Sequence, residues 1–361
     1  MDFQYGAEHD DFRDSLRRFF CGRSSTARMG DLTDGHDVSL WRRVCEELGL
    51  LGLHVPANYG GAGGTIVEST IAFEEAGRAL APVALLSTTL ATEAVLRMGD
   101  DEQCDRLLPG LLHGDRIGSL AAARPTDAHA PAVRAESRGG RTVLTGTCFP
   151  VLHGHIADMF VVPAETDGAV VAHVVAADAT GVSVARLPSF DGTRPVAEVQ
   201  FANAPAEALA AGTREDFERV LDVARILLAA EMLGGAEACL ALAVEHALSR
   251  HQFGRPIGSF QAVKHACADM LIEIDATRAM VMFAAMSATD DAELGLAGPM
   301  VKAQAADTFL LCAGSAMQVH GGIAFTWEHT LHRYFRRAQT TAALFGGSAH
   351  HRALVADRAG L

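Results

Sequence analysis

The sequence lacks closely spaced cysteine pairs, a secretory signal peptide and an excess of positive charge. Its seven cysteines are scattered over 361 residues without a CxxC pair, which predicts reduced thiols and no disulfide framework. The first twenty residues carry acidic side chains and no long apolar run, unlike a signal peptide. A net charge of -14 argues against a general affinity for nucleic acid or anionic membranes, although a few local arginines can still bind a phosphate. We therefore expect a cytoplasmic protein that does not bind nucleic acid.

The sequence also lacks an uninterrupted apolar run of the length that spans a membrane. Its most apolar stretch, residues 224–244, is interrupted by Glu231, Gly234, Gly235 and Glu237. We therefore predict a buried helix here and no membrane insertion. Hydrophobic residues make up 49% of the chain, which is enough to bury a large core. Because 361 residues exceed what one core usually organises, we expect two or three domains.

The first and last parts of the chain have a helical pattern. Residues 1–115 place apolar side chains at helical spacing, for example at Trp41, Val44 and Leu48. Residues 213–361 are rich in alanine and leucine, and Gly234-Gly235 would let neighbouring helices approach closely. Long antiparallel helices fit this last region, and a four-helix bundle is their simplest packing.

The middle part, residues 116–212, has the pattern of a compact β domain. Short β-branched runs predict strands at residues 142–145, 159–162, 169–175 and 196–201. Turn dipeptides separate these runs at Gly139-Gly140, Asp167-Gly168 and Asp191-Gly192. The chain as a whole therefore predicts an α+β fold with the domain order α, β, α.

One segment at the start of the second helical region, RHQFGRPIGSFQ at residues 250–261, suits a bound nucleotide. Arg250 and Phe253 lie three residues apart and would share one face of a helix, which Gly254 and Pro256 would then end. An arginine and an aromatic ring at a helix end suit a diphosphate and its attached ring system. On these grounds alone, a capped helix with a structural arginine is the better interpretation.

Two glycine-rich segments accompany it. In QVHGGIAFTWE, residues 318–328, Gly321 and Gly322 would form a tight turn where backbone can approach a phosphate or an adenosine group. On these residues alone, an ordinary interhelical turn is the better interpretation. In VPANYGGAGG, residues 55–64, the glycines predict a loop that interrupts the helical pattern.

Together the three strings resemble the acyl-CoA dehydrogenase family, from about residue 10 to 352. They match its patterns R-x-Q-F-G-x-x-I-x-x-F-Q, Q-x-x-G-G-x-G and P-x-x-Y-G-G-x-G, with Ala324 replacing one glycine. The resemblance implies an N-terminal helical domain (1–115), a middle β-barrel or sandwich (116–212) and a C-terminal four-helix bundle (213–361). It also implies contacts with the FAD of an adjacent subunit from Arg250, Gln252, Phe253, Phe260, Gln261, Gln318, Gly321 and Gly322.

The resemblance fails where the family carries its catalytic base. Members remove the α-proton of an acyl-CoA thioester with a glutamate while hydride passes to the flavin. The commoner glutamate position, in a Y-E-G-T motif, aligns with Gly346, and the alternative position aligns with Ala224. Asp222 and Glu231 lie near the second position, but neither is an easy substitute. We therefore assign no catalytic residue to this chain.

The family motifs that hold the flavin ring are altered as well. Residues 123–128 read ARPTDA where the family has T-E-P-x-x-G-S-D. Residues 148–152 read CFPVL where it has K-x-W-I-T, so Pro150 replaces the tryptophan and removes a backbone donor. The losses affect this chain's own flavin site and spare the groups that would serve a neighbour's.

This asymmetry predicts a subunit of an FAD-dependent acyl-CoA dehydrogenase that is not catalytically self-sufficient. A homologous partner would supply the glutamate in an α2β2 heterotetramer, and a flavoprotein would accept the electrons. Residues 231–271 look like the smaller subunit of actinobacterial enzymes that oxidise steroid side-chain CoA thioesters. Asp222 and Arg225 would either contact the acyl-CoA or form an internal ion pair.

Two other functions stay open at this point. One is a homotetrameric dehydrogenase with a displaced base such as Asp222 or Glu231. The other is a flavin-dependent oxygenase of the same fold, which needs no such base.

Several histidines and arginines have plainer interpretations. No cysteine or carboxylate accompanies the histidines at metal-ligand spacing, so we predict packing or surface histidines and no metal site at His153, His155, His329, His332, His350 and His351. The cluster Arg333, Arg336 and Arg337 predicts a solvated or subunit-facing helix surface.

Overall fold

The computed structural model describes residues 5–21, 32, 35–122, 132–166 and 168–361. The elements follow the predicted order of helices, strands and helices. The helices are α1 (Ala7–Cys21), α2 (Val38–Glu46), α3 (Ile66–Arg78), α4 (Leu85–Met98), α5 (Asp101–Leu112), α6 (Arg214–Ser249), α7 (Gln261–Met286), α8 (Asp291–His320), α9 (Leu331–Ala343) and α10 (Ser348–Arg358). The strands are β1 (Gly118–Leu120), β2 (Val133–Arg138), β3 (Arg141–Leu152), β4 (Met159–Thr166), β5 (Ala169–Ala176), β6 (Val182–Leu187), β7 (Val196–Ala208), β8 (His251–Gln252) and β9 (Arg255–Pro256).

The strands of the middle region form one sheet that closes on itself. β3 pairs antiparallel with β2 and β7, β5 pairs antiparallel with β7 and β4, and a parallel contact between β4 and β2 completes the circuit. β1 and β6 attach to β4 and β7. Alternate side chains point inward, as a closed sheet requires, and form a core that includes Leu144, Phe160, Val162 and Phe201. The predicted middle β domain is confirmed.

Each of the four predicted strands lies inside an observed one, namely β3, β4, β5 and β7. Strands β2 and β6 were not predicted. Their side chains are largely exposed, so they give no strong apolar pattern in the sequence. Gly139 and Gly140 form the predicted turn between β2 and β3, both with positive φ. Asp167 lies outside the described residues.

The chain groups into two compact units that do not follow the three sequence regions. One comprises Met1–Leu32, Ile66–Ala81 and Arg225–Leu361, and the other comprises Thr33–Thr65 and Pro82–Ala224. The first, which we call the helical unit, therefore contains two N-terminal helices, α1 and α3, beside the C-terminal ones. The domain boundaries at 115/116 and 212/213 stay a prediction.

Helices α3 and α6 of the helical unit cross with their backbones in contact. A Cβ atom on Gly234 would lie 1.8 Å from the carbonyl oxygen of Glu74, and one on Gly77 would lie 2.2 Å from that of Glu231. A Cβ on Gly235 would lie 2.4 Å from the ring of Phe309 on α8. The prediction that Gly234-Gly235 permits close helix packing is therefore confirmed.

Ion pairs link α1, α3, α6 and α7. Glu74 on α3 is buried and lies 2.6 Å from Arg13 on α1. The partly buried Glu237 on α6 accepts hydrogen bonds from Arg78 on α3 and Arg278 on α7. Burial, followed by the nearby Glu237 charge, raises the pKa of Glu74 to about 7. Since a carboxylate as deep as Glu74 is tolerated only when paired, its pair with Arg13 fixes how α1 and α3 face one another.

Among the described residues, two helical stretches are long and apolar enough to cross a membrane by length and composition. They are Arg214–Ser249 and Ala292–Phe325, and 78% and 44% of their most apolar windows are buried inside the fold. The high buried share of Arg214–Ser249 is typical of a core helix, in agreement with the interpretation of residues 224–244 as a buried helix.

Candidate functional site

The segment at residues 250–261 forms a β-hairpin at the end of α6. The helix ends at Ser249, β8 and β9 pair through Gln252 and Arg255, and Phe253 and Gly254 form the turn with φ of +54° and +79°. The prediction that Arg250 and Phe253 share a helix face is therefore wrong. Two consecutive positive φ values cannot be accommodated in a right-handed helix, and they make the tight hairpin turn instead. The prediction that the next helix begins at Phe260-Gln261 is confirmed, with Phe260 as the N-cap of α7.

The turn holds the Phe253 side chain out into solvent. Phe253 is 90% exposed, although it occupies a backbone conformation that is costly for any side chain other than glycine, asparagine or aspartate. Its ring meets the edge of the Phe260 ring at a centroid distance of 6.0 Å, and Arg255 lies 4.1 Å over the Phe260 ring. An exposed aromatic ring in a strained conformation is typical of a contact that is made to something outside the chain.

The polar side chains predicted to contact the cofactor are also exposed. Arg250, Gln252 and Gln261 surround the hairpin, and Gln318 lies on the last turn of α8. Among the described residues, neither the Arg250 guanidinium nor the Gln318 amide has a hydrogen-bond partner. Such groups are available to an anionic ligand or to another subunit.

The turn after α8 presents open backbone. Gly321 adopts φ +65° and ψ -144°, a conformation that essentially only glycine reaches. A Cβ atom on Gly321 or Gly322 would meet no other atom within 4 Å, so internal packing does not require either glycine. The large side chains that follow are exposed, at 49%, 73% and 72% for Ile323, Phe325 and Trp327.

Histidines bring the two segments together. The rings of His246 on α6 and His320 on α8 stack at a centroid distance of 4.3 Å, and His329 meets His320 at 4.7 Å. Arg250 follows His246 by one helical turn, and Gly321 follows His320 directly. The two predicted cofactor segments thus lie side by side at the ends of two neighbouring helices.

His246 and His320 were not among the residues predicted for the site. Two features of the sequence indicate them. His246 precedes Arg250 by four residues on a helix, and His320 stands inside the QVHGG string itself.

The predicted base position at residue 346 has no room for a side chain. Gly346 lies between α9 and α10 with φ of +110°. A Cβ atom there would lie 2.4 Å from the ring of His350. A glutamate would therefore have to displace that ring and adopt a strained backbone. At the other predicted base position, Ala224 is fully buried within α6.

The two carboxylates near residue 224 are engaged in ion pairs. Asp222 is buried and lies 3.3 Å from Arg219. Glu231 lies 2.7 Å from Arg337, and both side chains are buried. The prediction that Arg337 belongs to a solvated or subunit-facing surface is therefore wrong, because the arginine balances an interior carboxylate.

The possible substrate contact Arg225 lies far from the hairpin. It is buried on α6, about 36 Å along the helix from Ser249 at 1.5 Å per residue. The structure therefore does not bring Arg225 together with the predicted cofactor residues.

The altered flavin-ring motifs are described only in part. Residues 123–128 lie outside the described residues. Residues 148–152 belong to β3, whose pairing with β7 shifts between Cys148 and Val151 and leaves Phe149 and Pro150 out of register. Pro150 has no N–H to offer a flavin, so the backbone donor predicted to be lost at this position is absent.

These groups fit one part of an FAD molecule. A cation without a partner, an outward-facing aromatic ring and an open glycine turn suit the diphosphate and the flanking ring systems of a dinucleotide. Neither position where the family carries its base holds a carboxylate, because residue 346 is a glycine and residue 224 is an alanine.

Comparisons with known proteins agree with this chemistry. The family model for the acyl-CoA dehydrogenase N-terminal domain matches residues 6–115, and the model for the C-terminal domain matches residues 212–360. The acyl-CoA dehydrogenase IpdE2 of Mycobacterium tuberculosis is 38% identical over 312 residues, which cover 86% of this chain and 83% of that protein.

Two solved structures are similar over nearly their whole length. A variant of the Tcur3481-Tcur3483 steroid ACAD is 32% identical with a TM-score of 0.91, covering 98% of each chain. The ChsE4-ChsE5 complex from Mycobacterium tuberculosis is 28% identical with a TM-score of 0.93, covering 100% of this chain and 99% of the other.

Proposed function

Because the chain belongs to the acyl-CoA dehydrogenase family, we propose that it is the FAD-contacting, base-lacking subunit of a heteromeric acyl-CoA dehydrogenase. A homologous partner carries the glutamate, in an α2β2 assembly. The enzyme is an FAD-dependent oxidoreductase that acts on the CH–CH group next to a thioester. Its place is the cytoplasm, and a flavoprotein accepts its electrons.

One contrast within the helical unit carries this proposal. The hairpin and the Gly321-Gly322 turn leave their polar and aromatic groups exposed, whereas His350 fills the space at Gly346. A self-sufficient site would need a carboxylate near the second location. The chain therefore retains residues that can contact a neighbour's cofactor but has no carboxylate at the expected base positions. This combination fits one half of a site that two subunits share.

Each retained residue has a definite role in that half site. Arg250 contributes positive charge to the diphosphate, and Phe253 covers a ring system from outside. Gly321 and Gly322 allow the backbone to approach closely. FAD, when bound, supplies the hydride-accepting chemistry of the family. The partner's glutamate removes the α-proton, so the residues of this chain bind and orient without moving a proton from the substrate.

The substrate class rests on the related assemblies. One similar structure is of the Tcur3481-Tcur3483 steroid ACAD, and the other is of the ChsE4-ChsE5 complex. We propose a CoA thioester of a steroid side chain as the substrate, which places the enzyme in lipid and steroid degradation. Arg225, which is buried, and Asp222, which pairs with Arg219, are the candidate acyl-CoA contacts.

The alternative of a homotetramer with a displaced base has less support. Both carboxylates that could serve, Asp222 and Glu231, are buried and lie beside arginines. An ion pair with an arginine fixes the position of a carboxylate inside the fold, which disfavours a role as general base. No observation favours an oxygenase.

Flavin content tests the proposal. The chain is purified alone and also after co-expression with the product of an adjacent acyl-CoA dehydrogenase-like gene. We expect little FAD in the isolated chain and about one FAD per heterodimer in the complex, because each shared site is built by one copy of each chain. Replacing the partner's glutamate with glutamine should abolish dehydrogenation without releasing FAD. Full, tight FAD loading of the isolated chain would contradict the proposal.

A further inference from the structure

An exposed strip of large side chains follows the glycine turn after α8. Its members, Ile323, Phe325 and Trp327, are all exposed. Three large apolar side chains grouped on a surface are typical of a contact with another protein. Arg333 and Arg336 lie three residues apart on α9, so they share one side of that helix. We call these five residues the tryptophan face.

The Trp327 ring joins the apolar strip to α9. It meets the His332 ring at a centroid distance of 4.8 Å, and the guanidinium of Arg336 lies 4.7 Å from its centroid, which is cation–π distance. Burial, followed by the charges of Arg336 and Arg333, lowers the pKa of His332, so both arginines lie near that ring. The strip and the two arginines therefore form one continuous surface.

Hydrogen bonds hold this surface in place within the chain itself. The Thr326 N–H donates to the Ile323 carbonyl oxygen at 3.1 Å, and the His329 N–H donates to the Thr326 carbonyl oxygen at 3.4 Å. On the inner side of α9, the buried Tyr334 donates its hydroxyl hydrogen to the Arg78 carbonyl oxygen at 2.6 Å. Because the loop and the helix are already fixed, a partner that binds here loses little affinity to ordering them.

Arg333 carries a charge that the chain leaves without a counter-ion. Its side chain is partly buried, and burial lowers the pKa of its guanidinium. Arg17 shows the opposite behaviour, because its hydrogen bond to Glu75 raises its pKa. Among the described residues, the Arg333 side chain forms neither an ion pair nor a hydrogen bond. The carboxylate nearest to it in sequence, Glu328, is exposed and forms no ion pair with it.

The surroundings of Arg333 indicate what kind of anion would pair with it. A partly desolvated cation without a counter-charge costs free energy, which an incoming carboxylate or phosphate would recover. A small anion would gain nothing from the exposed apolar side chains, whereas a protein surface would bury them together with Arg333. Tryptophan and arginine are also the side chains most enriched where protein interfaces bind most strongly. The face therefore fits an apolar protein surface that presents an aspartate or a glutamate.

We propose that the tryptophan face is a surface on which the homologous partner subunit docks, with a carboxylate of the partner paired to Arg333, an inference that rests on the proposed function. The face begins directly after Gly321 and Gly322, which would meet the partner's FAD. One neighbouring subunit can therefore reach both. Docking then supplies the counter-charge that this chain lacks and buries its exposed tryptophan.

Assembly of the two chains tests this inference. The chain and the product of the adjacent acyl-CoA dehydrogenase-like gene are purified separately and mixed with excess FAD, and sedimentation velocity gives the dissociation constant of the complex. Arg333→Met removes the charge and keeps an unbranched side chain. We expect assembly to weaken about 30-fold or more, because the partner's carboxylate is left buried and unpaired. The isolated variant should unfold at a higher urea concentration than wild type, because an uncompensated cation has been removed.

A second variant tests the apolar part of the face. Trp327→Ala should also weaken assembly about 30-fold or more, since a central tryptophan is typically a hot spot. Urea unfolding of the isolated variant checks that the chain still folds. Arg42→Met and Phe190→Ala are the matched controls, because Arg42 is an exposed arginine of α2 and Phe190 is an exposed ring between β6 and β7. Both should assemble as wild type does.

The outcomes separate the docking surface from the proposed function. If Arg333→Met and Trp327→Ala assemble with the partner as tightly as wild type, the docking surface is refuted while the shared-site function stands. Self-association of the isolated chain that Trp327→Ala abolishes would assign the face to a second copy and overturn the choice of partner. Unchanged assembly with weaker FAD binding in Arg333→Met would assign Arg333 to a phosphate and also refute the proposal. If the wild-type chain binds no homologous subunit and loads FAD alone, the proposed function fails and the docking surface fails with it.

Discussion

Two regions of the helical unit differ in how exposed their side chains and backbone are. One is the hairpin with the turn after α8, and the other is the turn between α9 and α10. At the hairpin and the turn after α8, Arg250, Gln318 and the ring of Phe253 face outward, and a Cβ on Gly321 or Gly322 would touch nothing. At the turn between α9 and α10, the ring of His350 occupies the space beside Gly346, and His351 is fully buried. The first end is shaped for something outside the chain, whereas the second is packed as core. Under the proposed function, catalytic capacity is lost at one end of the fold while binding capacity is retained at the other.

The largest expected effect tests whether Glu231 is a structural residue of the core or the catalytic base. Glu231→Gln removes the negative charge from a buried ion pair with Arg337, so we expect the free energy of unfolding to fall by about 3–5 kcal/mol. Chemical denaturation measures the loss, and the double variant Glu231→Gln/Arg337→Met should recover most of it. A stable single variant that abolishes turnover in the complex would instead identify Glu231 as the base.

A smaller effect is expected from restoring the missing glutamate. Gly346→Glu places a side chain at φ +110° against the His350 ring, so we expect a loss of about 1–3 kcal/mol and no dehydrogenase activity in the isolated chain. Gly347→Glu is the matched control, because Gly347 has φ of -82° and open space around its Cβ position. Activity in the isolated Gly346→Glu chain would show that only the base had been lost.

The buried His351 on α10 should also make the stability of the protein depend on pH. Burial, followed by the charges of Lys302 and Arg225, lowers the pKa of His351 from 6.5 to about 2. Below pH 6.5 the unfolded chain binds a proton that the folded chain refuses, so stability is lost as the pH falls from 6.5 toward 2, by about 1.4 kcal/mol per pH unit.

Unfolding of His351→Leu across this range measures that contribution. The variant should lose less stability than wild type as the pH falls. His265→Leu, which removes an exposed histidine of α7, controls for the loss of an imidazole. Parallel curves for wild type and His351→Leu would contradict the assignment.

The smallest expected effect comes from Phe253→Asn, which should raise stability and weaken FAD binding. Phe253→Asn places Asn-Gly, the favoured dipeptide of this hairpin turn, where a strained phenylalanine stands. We expect the unfolding free energy to rise by up to about 1 kcal/mol. FAD binding to the complex should weaken several-fold at the same time. Unchanged FAD affinity would remove Phe253 from the site.

The fold could be predicted from the sequence because the patterns that indicate it are local. Short β-branched runs located β3, β4, β5 and β7, and Gly234-Gly235 indicated a close helix crossing that the structure contains. The resemblance of residues 250–261 and 318–328 to family motifs supplied the candidate site.

The rest depended on geometry that the sequence does not encode locally. The positive φ of Phe253 turned a predicted helix end into a hairpin. The pair Glu231–Arg337 joins residues 106 positions apart, so Arg337 could not be recognised as buried. The His246–His320 stack likewise forms only when two helix ends meet.

The claim that this chain grips a partner's FAD is tested most directly by one affinity. The FAD dissociation constant of the assembled complex is measured for Arg250→Ala and for Arg138→Ala, which removes an exposed arginine of β2. Loss of a charge-assisted contact predicts FAD binding about 10- to 100-fold weaker for Arg250→Ala, with assembly and unfolding unchanged and with Arg138→Ala like wild type. An Arg250→Ala complex that binds FAD as tightly as wild type would contradict the account.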